Sequence, residues 1–126
     1  MQHNIIFMKP TLVLGASTHD TRYSWMACQM LQDYHIEVHC VGKQAGLCAG
    51  IPIHKSMPEG LQVHTLTLYL NPDNQKLWYR HILDLKPQRV IFNPGTENIQ
   101  LEKQLQDEGI ETLRACTLVM LRTQQY

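Results

Sequence analysis

Short apolar runs and amphipathic stretches take turns along the chain. Thr11-Leu12-Val13-Leu14 is an apolar run closed by Gly15, the pattern of a buried parallel strand that ends in a tight turn. Over residues 22–34 the apolar side chains Trp25, Met26, Met30 and Leu31 recur at helical spacing, with Ala27 and Cys28 small enough for close packing. Residues 36–41 alternate and carry β-branched side chains, which predicts a second strand. Residues 42–60 hold four glycines and two prolines and read as a loop with one short strand near residues 51–54. Residues 64–70 predict a further strand. Asn71 and Pro72 then supply an N-cap and a first helical residue, for a helix that runs to about Leu85 and stops before Pro87. Residues 89–92 predict a strand, and a helix with the stripe Ile99, Leu101 and Leu105 follows and ends at Gly109. Residues 110–114 predict the last strand, and 117–123 a closing helical turn. Residues 1–9 are an N-terminal lead.

Strands and helices alternate throughout, without repeats or low-complexity segments. The expectation is a Rossmann-like α/β fold, a three-layer α/β/α arrangement around an open parallel sheet of about five strands. A chain of 126 residues with 44% hydrophobic content is expected to form one domain with a single core. Lysine plus arginine and aspartate plus glutamate both total 11, so no basic excess points to nucleic acid and any anion site must be local. The apolar runs are far shorter than a membrane span, and Ile5-Ile6-Phe7-Met8 is too short for a signal-peptide core, so a cytoplasmic protein without a membrane partner is expected. Cys28, Cys40, Cys48 and Cys116 lack CxxC spacing and are expected as free thiols. Seven histidines raise the question of a metal, but no three ligands show a recognisable spacing. His39 and Cys40, neighbours on a strand, should face opposite ways, so no metal site is expected.

Ligands of open α/β sheets bind beyond the carboxyl ends of the strands. Here those ends are residues 15–20, 41–43, 69–71, 93–96 and 115–117. Gly15 permits a tight turn, and the helix after it offers unpaired amides and a positive dipole end that favour a phosphate. Ser17 and Thr18 read as hydroxyls that donate to phosphate or cap the helix; with His19 and Asp20 they are adjacent in sequence and do not make a catalytic triad. Ordinary NAD binding is disfavoured. Only Gly15 of a GxGxxG fingerprint is present, and the second strand ends in Val41-Gly42-Lys43 with no carboxylate for the ribose. A lysine there suits a ligand with an extra ribose phosphate, such as coenzyme A or NADP; it is also compatible with a solvated loop lysine.

Five motifs in order carry a resemblance: Leu14-Gly15-Ala16-Ser17; Arg22-Tyr23-Ser24; the run from Thr67 through Tyr69-Leu70-Asn71-Pro72; Ile91-Phe92-Asn93-Pro94-Gly95-Thr96-Glu97; and the run from Ala115-Cys116-Thr117 to Leu121. Together they resemble the small bacterial CoA-binding-domain proteins, which are similar to the CoA-binding domain of the succinyl-CoA synthetase alpha subunit. The resemblance spans about residues 10–126. It implies a Rossmann-like domain that binds coenzyme A. Gly15, Ala16 and Ser17 would cradle the pyrophosphate with Arg22 near it, and Val41 and Lys43 would lie along the nucleotide end. Tyr69, Leu70 and Asn71 would line the groove, with Asn93, Pro94, Gly95 and Thr96 on the pantetheine side. Many relatives carry Asn-Pro after the second strand, where this chain has Gly42-Lys43. The synthetase's phosphorylated histidine belongs to another domain, so its catalysis does not carry over.

Cys116, at the end of the last strand, could bring its thiol to the CoA sulfur, or could be a buried small hydrophobe. Trp78 and Tyr79 could mark a homodimer or partner-subunit surface, or could pack on the core. Two functions follow. One is a non-catalytic module that binds CoA or an acyl-CoA to sense it or deliver it to a partner. The other is an enzyme, either an NADP-dependent oxidoreductase or a CoA-transferring subunit. Small size and the lack of an evident acid–base pair favour the first.

Overall fold

The computed structural model describes residues 9–126, so most of the expected lead lies outside the described residues. Strands β1 (Thr11–Leu14), β2 (Val38–Val41), β3 (Gly46–Cys48), β4 (Ile51–His54), β5 (Thr65–Leu68), β6 (Arg89–Phe92) and β7 (Glu111–Arg114) form one sheet in the order β3-β4-β2-β1-β5-β6-β7. Every pairing is parallel except β3 with β4. Among the described residues the sheet therefore has seven strands where the pattern predicts about five. The clear addition is β3, whose three residues pair antiparallel to β4 through a tight turn at Ala49 (φ 50°) and Gly50 (φ 86°). A run that short, inside a glycine-rich loop, has no period to read.

Among the described residues five α-helices cover the sheet: α1 (Tyr23–Asp33), α2 (Pro72–Gln75), α3 (Tyr79–Leu85), α4 (Ile99–Asp107) and α5 (Thr117–Arg122). Alternation along β1 sorts the two faces, because successive side chains of a strand point opposite ways. Leu12 and Leu14 join Leu66, Leu68, Val90 and Phe92 against Ile82, Leu101 and Leu105 of α3 and α4. Val13 and Cys40 face Cys28 and Leu31 of α1 and Leu121 of α5. The three layers expected from the sequence are present, with an apolar core on each face of the sheet.

Two details differ from the sequence expectation. The predicted helix from Pro72 to Leu85 is interrupted by a 3-10 turn over Lys76–Trp78. This tightening follows Gln75, whose buried amide donates to the carbonyls of Leu70 (2.8 Å) and Thr96 (2.7 Å). Ile99 is 76% exposed, so Leu101 and Leu105 alone form the buried stripe of α4. At Lys86 the chain leaves α3 in a left-handed conformation (φ 51°) before Pro87, as the predicted stop requires. Trp78 and Tyr79 pack against the core, and the Tyr79 hydroxyl accepts from Asn98 Nδ2 at 2.6 Å.

Candidate functional site

The sheet order reverses at β1: the chain moves from β1 outward through β2 and β4, then crosses to β5 on the other side. The crevice beyond the carboxyl ends of β1 and β5 is the switch point where ligands of open α/β sheets bind. The loop after β1 is folded down tightly there. The amides of Gly15 and Ala16 both donate to the Val41 carbonyl, at 2.9 and 3.1 Å, laying the loop across the end of β2. Gly42 makes room for it, since a Cβ at that position would lie 2.5 Å from the Ala16 oxygen. On the other side the Tyr69 amide donates to the Leu14 carbonyl at 2.8 Å. A Cβ on Gly15 would stand 2.9 Å from the Tyr69 carbonyl carbon, and its φ of 98° is costly for any other residue. Both glycines thus serve loop-to-strand packing. The Gly15 and Ala16 amides are already engaged within the chain.

Anion-binding capacity lies one step further along. Arg22 takes the N-cap position of α1 with extended backbone, and its side chain makes no capping bond to the helix. The first-turn amides of an α-helix have no partner within it, and they sit at the positive end of its dipole. Tyr23 and Ser24, which open α1, line a cleft of about 590 Å³ together with Ser17 and Thr18. The Ser17 hydroxyl accepts from the His19 amide at 3.1 Å. Arg22, Lys43 and His19 also line this cleft, and among the described lining residues there is no aspartate or glutamate. In a chain whose formal charges cancel, Arg22 and Lys43 make the cleft locally positive.

The opposite wall comes from the loops after β5 and β6. Tyr69, Leu70, Asn71 and Asn74 line it from one loop, and Pro94, Gly95 and Thr96 from the other. Asn71 caps α2 by accepting from the Asn74 amide at 2.9 Å. The Thr96 hydroxyl donates to the Asn93 carbonyl at 2.7 Å. Gln75 bridges the two loops, and its Oε1 accepts from Asn98 Nδ2 at 2.8 Å. The Tyr69 hydroxyl is buried with no hydrogen-bond partner among the described residues. Its neighbours Thr67 and Thr117 are bonded to each other at 2.8 Å, and burial pushes the phenol well above its ordinary range.

Twelve of the fifteen sequence-selected residues meet in this cleft; Val41, Asn93 and Cys116 are not among its lining. Val41 is fully buried and offers its carbonyl to the loop above. Asn93 is 2% exposed and fully bonded: Nδ2 donates to Thr67 Oγ1 and to the Leu68 carbonyl, and Oδ1 accepts from the Thr117 amide. Cys116 is half-buried at the N-cap of α5. The sequence reading did not select His19, Tyr23, Ser24, Gln44 or Asn74. His19 and Gln44 lie in loops with no pattern of their own, whereas Tyr23 and Ser24 follow directly from placing a phosphate at the start of α1.

Behind the cleft the fold assembles a cluster that spacing did not reveal. Cys28 on α1, Cys40 on β2 and Cys48 on β3 are fully buried, with their sulfurs all within 4.8 Å of one another. The Cys28 and Cys40 sulfurs are 3.6 Å apart, and Cys28 donates to the Cys48 carbonyl at 3.1 Å. Hydrogen bonding from Cys28 and Cys40 holds the Cys48 thiol well below its ordinary range, whereas bonding to Cys28 and Cys48, with burial, pushes Cys40 up. All four cysteines are free thiols in this structure.

Among the described residues no helix is long and apolar enough to cross a membrane. The chain is 46% identical to an uncharacterized protein of known crystal structure, with a TM-score of 0.91 over 94% of this chain and 98% of that one. A protein from Thermus thermophilus is 21% identical, with a TM-score of 0.81 and coverage of 99% and 97%. A hypothetical protein from Pyrococcus horikoshii is 17% identical, with a TM-score of 0.79 and coverage of 96% and 89%. These two likenesses show the fold alone. No curated protein matches the chain. Residues 9–122 match the CoA binding domain family over almost the whole described length, and the chain belongs to that family.

Proposed function

We propose that this chain is one CoA-binding domain that holds coenzyme A or an acyl-CoA in the switch-point cleft, as a non-catalytic binding or regulatory module. The observation that carries the reading is a cleft lined by Arg22 and Lys43, with no carboxylate among its described lining residues, set against the start of α1 in a member of the CoA binding domain family. The pyrophosphate would sit over the first turn of α1, with Arg22 and the hydroxyls of Ser17 and Thr18 as donors. Lys43 would meet the 3′-phosphate of the nucleotide end. Tyr69, Leu70 and the Pro94–Gly95 turn would lie along the pantetheine.

The non-catalytic part of the reading rests on how the polar groups are used. Asn71, Gln75, Asn93 and Thr96 are bonded to the loops they hold in place. A nucleophile needs a base within hydrogen-bond reach, and the hydroxyl of Ser17 instead accepts from the backbone of its own loop. Lys43 would equally suit the extra phosphate of NADP, and the oxidoreductase reading rests on that residue.

Thermal denaturation with and without ligand tests the proposal. A ligand at about 100 times its Kd stabilises the fold by about 2.7 kcal/mol, a readily measured shift. CoA should raise the denaturation midpoint of the full chain and raise that of Arg22→Ala much less, while acetyl-CoA incubated with the protein stays intact. A shift with NADP and none with CoA, or release of free CoA from acetyl-CoA, contradicts it.

A further inference from the structure

We propose that Cys28, Cys40 and Cys48 form a three-thiolate site for Cu(I), separate from the ligand cleft. Three sulfurs from three different elements converge within 4.8 Å, close enough to share one soft ion. Sulfur-only donor sets select soft ions such as Cu(I). Zn(II) takes four ligands in structural sites, and among the described residues no histidine, aspartate or glutamate joins the group to supply a fourth. The surroundings are apolar, formed by Val13, Leu31, Ile36, Val38 and Ile53.

Thiolates bound to a metal in such a pocket need outer donors, because buried charge without partners is costly. One is in place: Gln32 Nε2, which also donates to the Cys28 and Ala49 carbonyls, lies 3.7 Å from the Cys28 sulfur. The β3–β4 hairpin gives a way in. It is the edge of the sheet, and Gln32 Nε2 holds its turn by donating to the Ala49 carbonyl at 2.8 Å. Lifting this hairpin carries Cys48 outward. On binding, each sulfur releases its proton to water, copper enters and remains as Cu(I), and no sulfur is oxidised.

The test uses the full chain carrying Cys116→Ser, reduced and anaerobic, in competition with a chromophoric Cu(I) chelator. The expected result is one Cu(I) per chain with three sulfur neighbours by X-ray absorption. Outer-shell changes cost about 10–100-fold in metal affinity, so Gln32→Ala should weaken binding at least about tenfold, and Cys40→Ala by more. Gln32→Ala removes no ligand, so it reads the site even if a cysteine variant fails to fold by circular dichroism. Failure to take copper from the chelator overturns the proposal, as does a two-sulfur site, uptake indifferent to both substitutions, or a preference for Zn(II). Diamide oxidation to a Cys28–Cys40 disulfide in a chain that takes up no copper would make the cluster a redox pair instead.

Discussion

The backbone amide of Thr117 donates to Oδ1 of Asn93 at 2.9 Å, joining the start of α5 to the end of β6 across 24 residues of sequence. Cys116, at the N-cap, supplies no side-chain bond to the helix, so Asn93 caps α5 from another element. The same amide group donates to Thr67 and to the Leu68 carbonyl, tying β6 to β5 below the cleft. An asparagine selected from sequence as a ligand contact is thereby placed as the fastener of the cleft floor.

Replacing Asn93 by leucine leaves the Thr117 amide and the Leu68 carbonyl buried without these partners. Each unsatisfied buried group costs about 1–3 kcal/mol, so the variant should lose about 2–4 kcal/mol in urea denaturation. CoA affinity should fall with it, because the loops at residues 69–71 and 94–96 lose their common anchor. A variant of native stability would show that the three bonds are dispensable.

Gly42→Ala places a methyl 2.5 Å from the Ala16 oxygen, a contact that backbone alone must relieve. The expected loss is about 1–3 kcal/mol, with weaker CoA binding because the loop after β1 is pushed off β2. Gly60→Ala is the comparison. Its Cβ would meet nothing within 4 Å, and only the positive φ of 77° is unfavourable, at about 1 kcal/mol. Stability curves of the two variants, set beside CoA titrations, check the ranking: Gly60→Ala should leave binding closer to wild type.

His64 carries a pH dependence. Its Nδ1 lies 2.7 Å from Thr65 Oγ1. Burial, then the charges of Arg89 and Lys9, hold its pKa below the ordinary 6.5, with Glu111 opposing. A histidine pKa lower in the folded state means the unfolded chain binds more protons in mild acid. The stabilising contribution is present above the unfolded pKa and is lost as pH falls through that value toward the folded one. Between about pH 7.5 and 5.5, wild type should therefore lose stability more steeply than His64→Gln. Parallel slopes in urea titrations would contradict this assignment.

Much of the fold is legible in the sequence because burial imposes period. β6 falls where Arg89-Val90-Ile91-Phe92 predicts it, and α1 lies within one residue at each end of the predicted span. The illegible parts are those fixed by tertiary contacts. β3 exists because β4 offers it an edge, and the break after Gln75 accompanies bonds to Leu70 and Thr96. Ile99 fits the apolar stripe in sequence but opens α4 and is left outside it. At the site, the strand-end rule finds the cleft, yet it cannot say which strand-end residues turn inward as fasteners, as Val41 and Asn93 do. The cysteine cluster has separations of 12 and 20 residues from Cys28 to Cys40 and Cys48, and only the packing of α1 on β2 and β3 brings these together.

Whether the cleft reads coenzyme A is decided by calorimetric titration of the reduced full chain with CoA, dephospho-CoA and NADP. CoA should bind with a micromolar Kd, about −8 kcal/mol. Dephospho-CoA should bind about 10–100-fold more weakly, since a charge-assisted bond contributes about 1.5–3 kcal/mol, and Lys43→Ala should narrow that gap. Binding of NADP with none of CoA would show that the cleft is not a coenzyme A site.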